Sequence, residues 1–188
     1  MSFDFNSVGE QRSFDVIPDR TIALVQLNIR PGDVGEDNLF SRSKNGQAEG
    51  LNCELIVVGG PYDKKKFWDW MTISGTTDGH AEAADITKRK LRAILESARG
   101  IKPTDVSEAA KKARDAEYRE FDGIRFVAQI GVEPASGDYR AKNFLAQIIT
   151  PDRTKDWRPV EQVAKPAPAS TPADEKPSNV IVKPVWAQ

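Results

Sequence analysis

The segment Leu51–Gly60, LNCELIVVGG, sets Leu51, Cys53, Leu55 and Val57 against Asn52, Glu54 and Ile56 in strict alternation. A period of two is the signature of a half-buried strand, because successive side chains of an extended chain point to opposite faces. A helix, with its period of 3.6, would smear these apolar residues around its whole circumference. The Gly59-Gly60-Pro61 that follows stops the strand. The same period recurs in Arg20–Arg30, RTIALVQLNIR. There Ile22, Leu24, Gln26 and Asn28 oppose Ala23, Val25, Leu27 and Ile29, so this strand is covered on much of both sides. In GIRFVAQIGVE, residues 123–133, one face carries Ile124, Phe126, Ala128, Ile130 and Val132. After the turn PASGD, Tyr139–Thr150 returns as YRAKNFLAQIIT, completing a hairpin.

One stretch breaks the pattern. From Asp85, a suitable N-cap, Ile86, Leu91, Ile94, Leu95 and Ala98 recur at helical spacing. Gly100 stands where a helix C-terminal glycine belongs, and Pro103 prevents resumption. The polar, alanine-rich SEAAKKARDAEYREF, residues 107–121, has little apolar stripe and reads as a short peripheral helical piece.

Between the glycine stop and the helix lies Tyr62–Ile73, YDKKKFWDWMTI, which runs three lysines directly into three large aromatics. Taken as a strand from about Lys64 to Ile73, its alternate residues separate the two chemistries. Phe67, Met71 and Ile73 form an interior face, while Lys64, Lys66, Trp68, Trp70 and Thr72 share the other. A basic-to-aromatic row suits single-stranded nucleic acid, in which every base offers a π-face and every linkage a negative phosphate. The alternative is that both tryptophans pack under the helix or a loop and the lysines only solubilise. The run TKRKLR gives the helix Lys88, Arg89, Lys90 and Arg92. Such a run either tracks a phosphate backbone or, more commonly, forms a solvated face.

The predicted order is strand, long loop, strand, tight loop, strand, helix and a strand hairpin. This is a mostly β fold with one main helix (α+β), in the order of an OB-fold: a five-stranded Greek-key barrel with the helix between strands 3 and 4. Its ligand loops would be Pro31–Gly50, carrying Arg42 and Lys44, and Pro134–Asp138, flanked by Tyr139, Arg140 and Lys142. The predicted organisation is a lead-in over residues 1–15, the OB domain over 16–158 and a Pro/Ala-rich tail over 159–188. The tail, with KPAPASTPADEKPS, is expected to be disordered. It ends in an apolar tip, NVIVKPVWAQ, whose Val185 and Trp186 suit docking to another protein.

Composition narrows the function classes. The one cysteine, Cys53, excludes an internal disulfide and suits a reducing cytoplasm. With a single histidine, His80, a structural zinc site of the usual kind is excluded too, and no cofactor or metal is expected. No apolar stretch approaches the roughly 18 residues that span a bilayer, and the first residues lack a secretory-signal pattern. No nucleophile motif accompanies His80, GGPYDKKKF lacks the ending of a phosphate loop, and the carboxylates are dispersed, so a binding protein is expected rather than an enzyme. The net charge is only −1, yet residues 64–119 carry 13 Lys/Arg against 9 Asp/Glu, whereas residues 1–63 carry 5 against 10. Local field, rather than the total, is what a polyanion responds to.

Together, KKKFWDWMTI, DITKRKLRAILESARGIKP and FDGIRFVAQIGVEPASGDYRAKNFLAQIITPD resemble a family of tailed-phage and prophage single-stranded DNA-binding proteins. The shared elements are Phe67 and Trp68 in an aromatic third strand, Leu91 to Gly100, Gly123 to Val132, and Tyr139 with Lys142 and Asn143. The resemblance covers roughly residues 15–152. It implies an OB-fold that coats single strands during phage DNA replication or recombination in the cytoplasm of a bacterial host. Trp68, Trp70 and Tyr139 would then stack bases. Lys64, Lys66, Arg140 and Lys142 would neutralise phosphates, with Arg42 and Lys44 closing over from the first loop. The tip at Trp186 would engage a replication or recombination protein, and a homo-oligomer stays open. A competing class is an OB-fold accessory of such a complex that binds no DNA itself.

Overall fold

Strand β3 (Ala48–Val57) organises the sheet because both of its edges are used, one of them twice. Along one edge it pairs antiparallel with β4 (Lys66–Gly75), from Ala48↔Gly75 to Ile56↔Lys66. Along the other, Cys53–Val57 pairs with the second half of β1 (Thr21–Ile29), and Glu49–Gly50 pairs with the two-residue β2 (Ser41–Arg42). The first half of β1 pairs with β5 (Arg125–Glu133), and β5 pairs with β6 (Lys142–Ile148). This is a computed structural model, and it describes residues 16–35 and 37–160.

The result is an open, all-antiparallel sheet of six strands with β4 and β6 at its ends. Register shifts at Glu49/Gly50 and Gln129/Ile130 bend it, as extra residues in a ladder do. One face is apolar. Val25, Leu27, Leu51, Cys53, Leu55, Phe67, Met71, Phe126 and Ile130 are all buried in a single cluster with Leu91, Ile94 and Leu95. Each large side chain so covered stabilises the fold by about 1.5–3 kcal/mol. The last three come from α1 (Asp78–Arg99), which packs against β4, β5 and β6. A short α2 (Glu108–Lys112) and a 3-10 turn (Tyr118–Phe121) follow before β5.

Four expectations need correction. The sheet has six strands rather than five, because the long loop contributes β2. The helix begins at Asp78, not after an Asp85 cap, since the Thr77 side chain accepts the His80 N–H and caps an extra polar, alanine-rich turn. Strand β4 starts at Lys66, because Lys64 adopts a left-handed φ of 65° in the preceding turn. Strand β6 starts at Lys142, leaving Tyr139 and Arg140 in the turn before it. Gly100 does end α1, at φ 69°, donating its N–H to the Glu96 carbonyl.

The helix is held to its surroundings by polar groups that the interior leaves no water to satisfy. The Ser97 hydroxyl accepts the Val127 N–H at 3.0 Å, beyond the point where β6 stops pairing with β5. The indole N–H of Trp157 donates to the Ser97 carbonyl at 3.1 Å, and its ring packs on Gly100. The buried carboxylate of Glu96 is gripped by Arg92 at 2.9 Å and Arg114 at 2.7 Å. Arg114 also donates to the carbonyls of Asp105 and Lys102, tying the segment after α1 to its last turn.

Candidate nucleic-acid interface

On the face away from α1, β4 presents Lys66, Trp68, Trp70 and Thr72 in sequence. Trp68 is 55% exposed and Trp70 39% exposed, so neither is packed beneath the helix or a loop. Their strand neighbours Phe67 and Met71 are buried on the other side. Register then sets what lies beside them. Trp70 stands opposite Asn52, Trp68 opposite Glu54 and then Asn28, and Lys66 opposite Ile56, followed by Gln26 and Arg125. Side chains facing each other across strands in this way are in direct reach.

Trp70 is oriented by its surroundings. Its indole N–H donates to the Thr72 hydroxyl at 3.2 Å. Its ring lies so close over Gly50 that a Cβ there would come within 2.9 Å of it, and within 2.6 Å of the Met71 carbonyl. Gly50→Ala is therefore expected to displace Trp70 and strain the bulge. It should cost about 1–3 kcal/mol in denaturant unfolding and shift the tryptophan emission of the folded protein.

The polar residues of this face are joined. The Lys66 ammonium lies 3.2 Å from Glu54, whose carboxylate is also 4.0 Å from Arg30. Arg125 donates to Gln26 at 2.9 Å, and Gln26 donates to Asn28 at 2.9 Å. The face thus combines two exposed indoles, several amides and three cations, of which Lys66 and Arg30 share the Glu54 carboxylate.

At its Lys66 end the face opens into a groove of about 600 Å³ between β4 and β6, where the sheet does not close. This falls within the roughly 300–1,000 Å³ typical of small-ligand clefts. Val16, Ile17, Phe67 and Ala141 give it apolar walls; Trp68 lines it too, with Lys64, Lys65, Lys66 and Lys142. Lys142 pairs with Glu133 at 3.0 Å, both largely exposed. Such a pair is weak enough for a phosphate to replace the carboxylate.

Four of the residues expected from the sequence, Lys64, Lys66, Trp68 and Lys142, therefore meet in one groove. Trp70 is the next step along β4. Arg42 sits at the far end of β3, opposite Glu49 and 3.9 Å from its carboxylate, while Lys44 is exposed in the turn between β2 and β3. Tyr139, 82% exposed, and Arg140 lie in the turn immediately before groove-lining Ala141, not in the groove itself. Val185 and Trp186 lie outside the described residues. Arg30, Arg125, Gln26, Asn28 and Asn52 were not anticipated as neighbours of the tryptophans. Alternation marks several of them as outward, but only the register places them beside Trp68 and Trp70.

The basic run of α1 turns away from this face. Lys90 pairs with Asp69 at 2.7 Å on the helix side of β4, Arg92 with Glu96 and Lys88 with Asp85. Cys53 is fully buried, and burial, with the nearby Asp69 charge, pushes its thiol up to about 12, so it is no nucleophile. No cluster of three metal-ligating side chains occurs among the described residues, and none of their helices is long and apolar enough to cross a membrane. No protein-family model and no curated protein matches the chain.

Proposed function

We propose that this protein binds single-stranded DNA with little sequence preference, through the Trp68–Trp70 face and the adjoining lysine-rimmed groove. One observation carries the reading: two indoles stand exposed and adjacent on the outer face of β4, at the mouth of a groove lined by lysines. Stacking one base on an aromatic contributes about 1–3 kcal/mol and tolerates any sequence. The strand order β4-β3-β1-β5-β6, with β1 and β3 each divided between partners, supports an OB-type Greek-key barrel left open between β4 and β6. The resemblance of the third strand, the helix and the final hairpin to phage single-stranded DNA-binding proteins points the same way. The role would be coating of single strands in phage replication or recombination, without catalysis.

A second reading, a protein-interaction accessory that binds no DNA, draws on the pairing of Lys66 and Lys142 with Glu54 and Glu133, which lowers the positive field of the face. Titration with oligo(dT), followed by tryptophan emission at two salt concentrations, separates the two. Quenching, with affinity falling steeply as salt rises, is expected for DNA binding. Glu54→Gln should then bind more tightly, because it frees Lys66 and Arg30 for phosphates. Absence of quenching and of gel retardation at low salt would leave the accessory reading.

A further inference from the structure

The β4–β6 groove is closed from below. Ile17, which lines it, is buried to 1% exposure in the core cluster that also holds Phe67 and Leu145. Asn143 of β6 fixes it there as a peptide group would. The Asn143 carboxamide oxygen accepts the Ile17 N–H at 2.8 Å, and its nitrogen donates to the Ile17 carbonyl at 2.8 Å and to the Gly131 carbonyl at 3.2 Å. A chain therefore cannot thread between β4 and β6 into the interior, and a ligand enters the groove from its open side. An internal nucleotide lodged there must bring its chain both in and out through that opening. A terminal nucleotide brings it only once.

The groove also holds more positive charge than one internal linkage calls for. Lys66 has Glu54 at 3.2 Å and Lys142 has Glu133 at 3.0 Å, whereas among the described residues no carboxylate pairs with Lys64. A phosphodiester carries a single negative charge. A terminal phosphomonoester carries about −1.5 to −2 at neutral pH and offers three strong acceptor oxygens. Apolar walls and the Trp68 indole beside these lysines suit the base of the same nucleotide, and about 600 Å³ is the scale of one small ligand.

Lys64 stands at this place against the local preference of the chain. Its φ of 65° lies in the left-handed region, which a Cβ makes costly and glycine adopts freely; Gly59 and Gly60, just before it, do so at 76° and 71°. The turn is pinned from both sides, since the Lys64 N–H donates to the Val57 carbonyl at 2.9 Å and the Asp63 carboxylate accepts the Gly59 N–H at 2.6 Å. Glycine at position 64 would fit this turn better, yet it would remove the unpaired ammonium from the groove. Strain placed at the lip of a cleft points to use.

We propose that the β4–β6 groove receives the phosphorylated end of a single strand. The terminal base lies against Trp68 and the apolar walls, and Lys64, Lys66 and Lys142 hold the terminal phosphomonoester. This end site rests on the DNA-binding reading above and fixes which part of the strand the groove takes.

Labelled oligo(dT) carrying a 5′-phosphate, a 3′-phosphate or neither, titrated at low salt, tests it. A strand phosphorylated at the favoured end should bind roughly three- to tenfold more tightly than the unphosphorylated one, the worth of one or two half-exposed ion pairs. The gain should fade as salt rises. Lys64→Gly should abolish it while raising the thermal midpoint by about 2–4 °C, so that lost binding is not lost fold. Lys142→Gln should reduce the gain, and Lys88→Gln, on α1 beside Asp85, should leave it intact. A gain that survives both groove variants, or that Lys88→Gln lowers equally, belongs to the overall field and overturns the proposal. If all three strands bind equally, the end site falls and the DNA-binding reading stands. If dTMP and phosphorylated strands bind while unphosphorylated strands do not, the end site stands and the coating role falls. If none of them binds, both fall together.

Discussion

Trp68→Ala is expected to weaken oligo(dT) binding by roughly 5- to 150-fold, the equivalent of the about 1–3 kcal/mol that one stacked base contributes. The unfolding midpoint should hardly move. More than half of the side chain is exposed, and substitution at such positions typically changes stability by no more than about 0.5 kcal/mol. Binding measured by anisotropy on a labelled oligonucleotide, beside a denaturant titration of the same preparation, reads both quantities. A variant that keeps parental affinity would remove Trp68 from the interface. A variant that unfolds would assign the indole to the core instead. Trp70→Ala should give a mixed result, because Trp70 also rests on Gly50 and bonds Thr72. Only Trp68 offers a clean separation of binding from folding.

That separation was partly visible in the sequence. Alternation in Leu51–Val57 and in Phe67–Met71 assigns the buried and open faces, because one side of each strand must meet the core and a slip of one residue would invert both. The outward positions of Trp68 and Trp70 follow from the same logic. What alternation does not contain is register. Nothing local places Glu54 and Asn28 beside Trp68, or brings Lys142 of the last strand to Lys64 and Lys66 across an unclosed sheet. Short or atypical elements escaped for local reasons. Two residues of β2 are too few to show a period, and the first turns of α1, Asp78–Ala84, carry no apolar stripe and depend on the Thr77 cap. The left-handed turn at Lys64 is unusual for a residue with a Cβ, and it delays the start of β4 to Lys66, two residues later than a continuous strand would begin. Lys64 reaches the groove from that turn rather than along the strand row.

The opposite dissociation is expected at Glu96. Its carboxylate is 3% exposed as a residue and accepts from Arg92 and from Arg114, which is itself mostly buried. Glu96→Ala leaves the Arg114 charge without its partner in the interior and detaches the Asp105–Arg114 segment from the end of α1. Breaking a buried pair in this way costs about 3–5 kcal/mol, or roughly 6–20 °C in the thermal midpoint of a domain this size. Glu96→Gln preserves the volume and one acceptor, so it should fall between the two proteins and divide the charge effect from the cavity effect. Neither change should alter the oligo(dT) affinity of the molecules that remain folded. The Lys90–Asp69 pair shows α1 lying against the inner side of β4, with the sheet between it and the tryptophans. Calorimetry beside binding at a temperature well below both midpoints makes the comparison. A loss of affinity at Glu96 matching that at Trp68 would mean that α1 takes part in holding DNA, and the interface would have to be redrawn around both faces of β4.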